Sequence, residues 1–375
     1  KSDLWCRRGG HAQVEYPDAV SETVSDSRPV IDDEEIFAAH VGGKLSVELK
    51  SPLDTKRALS IAYTPGVAQV SRAIAADHTL AARYTWAHRL VAVVSDGSAV
   101  LGLGDIGAAA SLPVMEGKAA LFKTFGGLDS IPIVLDTKDP DEIVETLIRL
   151  RPTFGAVNLE DISAPRCFEI ERRVIEALDC PVMHDDQHGT AIVVLAALLG
   201  ASKVLGREMS SLKLVVSGAG AAGVACAKIL MASGLTHVTV LDSQGIVHTG
   251  RSDLNPFKRE LAEQTNPEQR SGGLAEALTT GGGGVMPVEA KSLFERLAQL
   301  QPDDPRPDFY LGWAELQAGE GQSALDRWTR LLARTPADAP WRQRVVEGIQ
   351  TAAGQLGLDP KAVLAGIPTP PPAAP

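Results

Sequence analysis

Two pairs of acids, Glu160-Asp161 and Asp185-Asp186, are the residues of this chain best placed to do chemistry together. Each pair follows a short apolar run, and about one helix lies between them within residues 158–190. A strand–helix–strand unit delivers the carboxyl ends of its parallel strands to one edge of a sheet. Carboxylates gathered there repel one another unless a cation sits among them. An oxygen-only donor set suits a hard ion, Mg²⁺ or Mn²⁺, better than zinc. Solvated loop acids and helix N-caps share this spacing, so both readings stay open.

A second constellation lies downstream. The apolar run Leu212-Lys-Leu-Val-Val216 leads into Gly218-Ala-Gly220-Ala221-Ala222-Gly223, then a helix, then His237-Val-Thr-Val-Leu241 ending in Asp242. Strand, glycine motif, helix, strand and distal acid together are the dinucleotide-binding pattern. Its glycines let the backbone approach a pyrophosphate at the positive helix end. Asp242 would accept from a ribose 2′-hydroxyl and repel a 2′-phosphate, which favours NAD over NADP. The similar spacing of Gly102, Gly104 and Gly107 lacks a distal acid and reads instead as backbone packed close to a ligand. Lys118, expected near a helix N-terminus, and Tyr63, expected at a loop mouth before Pro65-Gly66, are proton-bearing types. On spacing alone, a solvated lysine and a packing tyrosine are the plainer readings.

The elements that must position these groups follow from periodicity. Val91-Ala-Val-Val-Ser95 and Val100-Leu-Gly-Leu103 read as strands around an Asp96-Gly97 hairpin turn. Ile131-Pro-Ile-Val-Leu135 is a further strand, and Asp139-Pro-Asp-Glu142 opens a helix with a cap and a proline at its first position. Strand 155–159, helix 165–178, strand 181–183 and helix 189–205 continue the alternation. The expected fold class is α/β with a predominantly parallel sheet, then an incomplete Rossmann domain and a small all-α segment. The expected organisation is a disordered leader over 1–30, a catalytic and metal-binding domain over 31–205 and a partial Rossmann domain over 206–280. A glycine-rich linker over 281–286, repeat helices over 287–360 and a Pro/Ala-rich tail over 361–375 complete it.

The formal net charge of −11, with no block of basic residues, argues against nucleic acid or an anionic membrane as a partner. Cys6, Cys167, Cys180 and Cys226 are scattered without metal-finger spacing, as expected of reduced thiols in the cytoplasm. The longest apolar run, 191–201, is too short to span a bilayer, and the first residues lack a signal-peptide core. Beyond the glycines at 281–284, Ala290, Phe294, Leu297 and Pro302 recur as Ala324, Trp328, Leu331 and Pro336, an offset of 34 each time (324 − 290, 328 − 294, 331 − 297, 336 − 302). That is the tetratricopeptide period.

Residues from about 32 to 278 resemble bacterial-type malic enzyme. The motifs are Tyr-Thr-Pro-Gly-Val (63–67), Leu-Gly-Leu-Gly-Asp (101–105), Met-Glu-Gly-Lys (115–118), Asn-Leu-Glu-Asp-Ile-Ser-Ala-Pro (158–165), His-Asp-Asp-Gln-His-Gly-Thr (184–190) and Gly-Ala-Gly-Ala-Ala-Gly (218–223). The resemblance implies oxidative decarboxylation of malate to pyruvate with NAD or NADP and Mg²⁺ or Mn²⁺, in a homodimer. By motif it implies Glu160, Asp161 and Asp186 as metal ligands with Asp185 in support. It implies Lys118 as general base, its pKa lowered by burial and a nearby dication, and Tyr63 as the group exchanging a proton at C3. In the family the dinucleotide domain continues well past residue 278. Here the first βαβ is expected without its third strand, which puts turnover in question and leaves an open sheet edge. A non-catalytic α/β body carrying a protein-binding repeat is the alternative. Residues 285–360 resemble the tetratricopeptide tail of c-type cytochrome biogenesis proteins at Arg306-Pro-Asp-Phe-Tyr-Leu-Gly312 and Pro336-Ala-Asp-Ala-Pro-Trp341. That tail implies a periplasmic setting and the malic part a cytoplasmic one, as a fusion would.

Overall fold

The computed structural model describes residues 31–281 and 285–368 and comprises two units, 1–44 and 45–375. The expected leader over 1–30, residues 282–284 of the expected linker and the tail from 369 lie outside the described residues. In the first unit α1 (Asp33–His40) is capped by Asp32, whose side chain accepts from the Glu34 N–H. Three acids in its first turn suit the positive helix end.

The second unit opens with α2 (Lys56–Ala62), capped by Thr55, then α3 (Val67–Ala76) and α4 (Ala81–Tyr84). The expected turn at Pro65-Gly66 separates the first two: a Cβ on Gly66 would sit 2.5 Å from the Ile61 carbonyl oxygen. No residue from 45 to 89 is buried.

The parallel sheet follows, through β1 (Leu90–Ser95), α5 (Ala108–Gly126), β2 (Asp129–Val134) and α6 (Pro140–Leu150). It continues with β3 (Ala156–Leu159), α7 (Arg166–Ala177), β4 (Val182–His184) and α8 (Asp185–Leu205). Strand order is β2-β1-β3-β4 and every pair is parallel. The expected hairpin after Asp96-Gly97 does not form. Parallel neighbours occupy both edges of β1, so Val100 is left to a single bridge with Gly104 inside a tight turn. At α6 the sequence logic holds: Asp139 accepts from the Asp141 N–H, Pro140 takes the first position, and Ile143, Val144 and Leu147 face the core.

Helix α8 begins at Asp185, four residues before the expected start, because acids at its first positions favour the positive end. By length and composition it could cross a bilayer. Its Ala191 instead packs against Ala225 and Cys226 of the next helix.

The second sheet contains β5 (Lys213–Ser217), α9 (Ala221–Ala232), β6 (His237–Asp242) and β7 (Gly245–Ile246), in the order β5-β6-β7. β5 and β6 are parallel. The parallel third strand expected to be missing is absent among the described residues; in its place the two-residue β7 pairs antiparallel with the end of β6 through a tight turn. α10 (Pro256–Gln264), with Asn255 as cap, went unforeseen, and α11 (Leu274–Gly281) runs into the expected linker. A single apolar cluster joins both sheets, running from Leu90 and Val94 through Phe168 to Val224, Val240 and Leu261.

The last part is helical, with α12 (Val288–Leu300), α13 (Pro305–Gln317), α14 (Gly321–Arg334), α15 (Arg342–Gln355) and α16 (Pro360–Ala365). α16 falls at the start of the expected Pro/Ala-rich tail; Asp359 caps it, and Val363, Leu364 and Ile367 pack on the helical core. Phe294 and Leu311 share a cluster with Ala275 of α11, so these helices rest on the Rossmann unit. The crossing of α13 and α14 depends on Gly312, where a Cβ would lie 2.4 Å from Trp328 Nε1. Gly312→Ala is expected to cost about 1–3 kcal/mol through overpacking, read from urea unfolding followed by tryptophan fluorescence.

Candidate functional site

Parallel strands β3 and β4 lie side by side, with Leu159 opposite His184, so the residues following them emerge together. Glu160 and Asp161 leave β3, and Asp185 and Asp186 form the first turn of α8. Asp161 takes a left-handed φ of 53°. That turn directs its N–H to Asp186 Oδ2 at 2.9 Å and its carbonyl to the Ala99 N–H at 2.9 Å. Carboxylate oxygens of Glu160, Asp161 and Asp186 lie within 4.8 Å of one another. The convergence expected from the sequence is therefore met.

Lys118 reaches this cluster from the middle of α5, not from a helix N-terminus as expected, because the helix starts at Ala108, ahead of Pro113. Its Nζ lies 2.7 Å from Asp185 Oδ2 and 3.0 Å from Glu160 Oε1. Asn158 donates to the other Glu160 oxygen at 2.7 Å. Gly189, one turn beyond Asp185, leaves room for its carboxylate: a Cβ there would sit 2.5 Å from Asp185 Oδ1.

Two of the four carboxylates, Glu160 and Asp185, hold the one ammonium, and Asp161 and Asp186 lie beside them. Burial pushes Glu160 up to about 7, against the pull of Lys118. Burial and then the charge of Asp186 push Asp161 up to about 6. Burial opposes the Lys118 charge, but Asp185 and Glu160 outweigh it and hold the lysine above its ordinary value. The lowering expected from burial is thus present but is outweighed by these two carboxylates. Three converging acids, two of them buried and only Glu160 bonded to the ammonium, offer oxygen donors only and fit a hard divalent cation held by Glu160, Asp161 and Asp186.

Tyr63 follows α2 and is 67% exposed, with no side-chain hydrogen bond to the acid cluster among the described residues. In the glycine motif, Gly218 has a φ of 120°, and a Cβ on Gly223 would fall 1.8 Å from the Gly218 carbonyl oxygen. Gly220 precedes α9, and Ala221 and Ala222 open it. A cavity of about 370 Å³ runs from Gly218 and Gly220 past Asp242 and Lys258 to Pro165 and Phe168 on the other sheet's side.

Asp242 does not present a free carboxylate. Its oxygens accept from Arg251 at 2.8 and 3.1 Å and from Lys258 at 2.6 Å. Burial alone would raise its pKa; those hydrogen bonds outweigh burial and hold it well below the carboxylate range. Two cations beside it remove the repulsion on which a preference for NAD over NADP was based.

Sequence reasoning passed over Asn158, Gly189, Arg251 and Lys258. Only Asn158 and Gly189, inside the acid-rich motifs, carried a local signal. Arg251 and Lys258 lie nine and sixteen residues from Asp242, and only the turn into β7 and α10 returns them to it.

Comparison with known proteins agrees with this arrangement. The family model described as malic enzyme, N-terminal domain, matches residues 42–175, and that described as malic enzyme, NAD binding domain, matches 187–280. A NAD-dependent malic enzyme of Geobacillus stearothermophilus is 52% identical over 242 residues, 64% of this chain and 51% of the relative. A bifunctional malic/malolactic enzyme of Bacillus subtilis is 46% identical over 275 residues, covering 72% of this chain and 67% of its own length. The crystal structure of a NAD-dependent malic enzyme from Thermotoga maritima superposes with a TM-score of 0.64 at 45% identity, over 66% of each chain. The chain thus spans about half the length of the first of these relatives.

Removing the Asp242 charge leaves Arg251 with Asp253 as its remaining carboxylate partner, beside the Gly245 and Ile246 carbonyls. Asp242→Asn is therefore expected to cost about 3 kcal/mol, the low end for a broken buried pair. Because the folded-state pKa is depressed, this contribution is present above the ordinary value of ~4 and is lost as pH falls below it. The stability of the variant should therefore fall less steeply under acid conditions, measured by urea unfolding across a pH series.

Proposed function

The chain belongs to the malic enzyme family, and from that premise we propose that it oxidises and decarboxylates malate to pyruvate with NAD⁺ or NADP⁺. The supporting observation is the meeting of Glu160, Asp161 and Asp186 within 4.8 Å, beside a Lys118 ammonium bonded to Glu160 and Asp185. In this reading the three acids hold Mg²⁺ or Mn²⁺, and Asp185 keeps Lys118 in place. The ion supplies Lewis acidity toward the C2 oxygen and the carbonyl formed from it.

Lys118 takes the proton of the C2 hydroxyl. It can do so only as a neutral amine, so Glu160 must release its hold on the ammonium, as its role as a metal ligand requires. A bound nicotinamide would supply the acceptor for the C2 hydride, and the enol carbon left by loss of CO₂ would need a proton, the task assigned to Tyr63. Gly218, Gly220, Ala221, Ala222 and Gly223 receive the pyrophosphate at the start of α9. Asp242 orders Arg251 and Lys258 at the rim of the same cavity.

A homodimer is the assembly proposed. Its support is apolar exposure: Leu59 at 49%, Ile61 at 63%, Phe125 at 82% and Val193 at 68%. We read α12–α15 as tetratricopeptide-like, on the 34-residue offset together with the matching burial of Ala290 with Ala324 and of Phe294 with Trp328. Such helices offer a protein-binding surface, and their likeness to cytochrome biogenesis tails belongs to the same reading. The cytoplasm is the proposed location. The alternative, a non-catalytic body carrying that surface, draws support from the shortened Rossmann part.

Mn²⁺ is expected to bind the full chain, and Asp186→Ala to weaken it at least about tenfold while the fold persists, as read by titration of the metal. Malate-dependent reduction of NAD⁺ or NADP⁺ with Mn²⁺ tests turnover; none, with metal binding intact, would favour the alternative. Ile61→Glu is expected to shift the chain toward monomer in light scattering, and an unchanged mass would remove that part of the dimer proposal.

A further inference from the structure

Helix α8 presents Asp185 and Asp186 in its first turn, yet its cap position, His184, makes no side-chain capping bond. In a capping box the residue at the third helical position returns to the backbone N–H of the cap. Gln187 holds that position and does not return. Its amide donates instead to Glu171 Oε2 at 3.0 Å, and the His184 N–H donates to Glu171 Oε1 at 2.9 Å. His188 Nε2 lies 2.7 Å from Oε1, and the contact raises the pKa of that histidine. Glu171 comes from α7, where it is 7% exposed beside the buried Ile170 and Val174.

We propose that Glu171 is a positioning residue, which sets the first turn of α8 and through it aims Asp185 at Lys118 and Asp186 at the metal cluster; this rests on the functional reading above. Successive helical residues diverge by about 100°, so the two acids reach their separate partners at only one rotation of the helix. Glu171 fastens that rotation from outside by gripping one backbone and two side-chain donors. A carboxylate suits the task because it only accepts; an amide would turn a donor toward one of three donors. Its negative charge also faces the positive helix end. Ile170 and Val174 already supply the packing of α7, so a buried acid among them costs stability unless its donors are engaged.

The test uses the full chain titrated with Mn²⁺ alone, free ion being followed by electron paramagnetic resonance, for wild type, Glu171→Ala and Ile170→Ala. Glu171→Ala is expected to raise the Mn²⁺ dissociation constant about tenfold. Ile170→Ala should lower the melting temperature and leave metal affinity near wild type. A folded Glu171→Ala with wild-type affinity, or one weakened no more than Ile170→Ala, overturns the positioning role and leaves the functional reading standing. Should Glu171→Ala not fold, Glu171→Gln is read by the same comparison. Wild type that fails to bind Mn²⁺ overturns the functional reading and this inference with it.

Discussion

Negative charge in excess of its local compensation is the constraint around which this molecule is built. Lys118 is the ammonium that faces Glu160, Asp161, Asp185 and Asp186 at the carboxyl edge of the parallel sheet. Taking carboxylates out of water is costly, and here the cost surfaces as Glu160 at about 7 and Asp161 at about 6. Every other device nearby reduces that burden: the Asn158 amide on Glu160, the Asp161 N–H on Asp186, the positive end of α8. None of them supplies a full charge. In the proposed reading a divalent ion would supply that charge, and the lysine stays protonated while the acids hold it.

Placing such a cluster demands a rigid support, and the shared core provides one. The apolar cluster that begins at β1 continues through Phe168 into α9, β6 and α10, with Phe168 and Phe257 rings 4.8 Å apart. The cavity beneath the glycine motif is walled on one side by Pro165 and Phe168, residues that follow the acid loop. The glycine motif and the acid cluster, on separate sheets, are thereby tied to one packed body. The terminal helices join the same body through Ala275, Phe294 and Leu311, and Arg306 pairs with Glu276. The glycines between them lead into a docked element, not a free one.

Much of this was legible in the residues themselves. Alternating apolar runs announced the parallel sheet; Asp139-Pro140 announced α6; the paired acids at the ends of β3 and β4 announced their own convergence, because parallel neighbours share an edge. Errors arose where a local signal met a neighbour far away in sequence. Asp96-Gly97 carries hairpin chemistry, yet β2 and β3 already fill both edges of β1. Asp242 stands at the position of a ribose acceptor, yet Arg251 and Lys258 close on it.

The sequence by itself determined most of the sheet's elements and the candidate acids and glycines, since period, caps and glycine spacing act over a few neighbouring positions. Tertiary structure alone decided how those residues are charged and aimed. Burial and partners brought from other elements set the state of Lys118, the pairing of Asp242 and the grip of Glu171 on α8. Electrostatic energy depends on distance through space and on exclusion of water, and neither can be read from position along the chain.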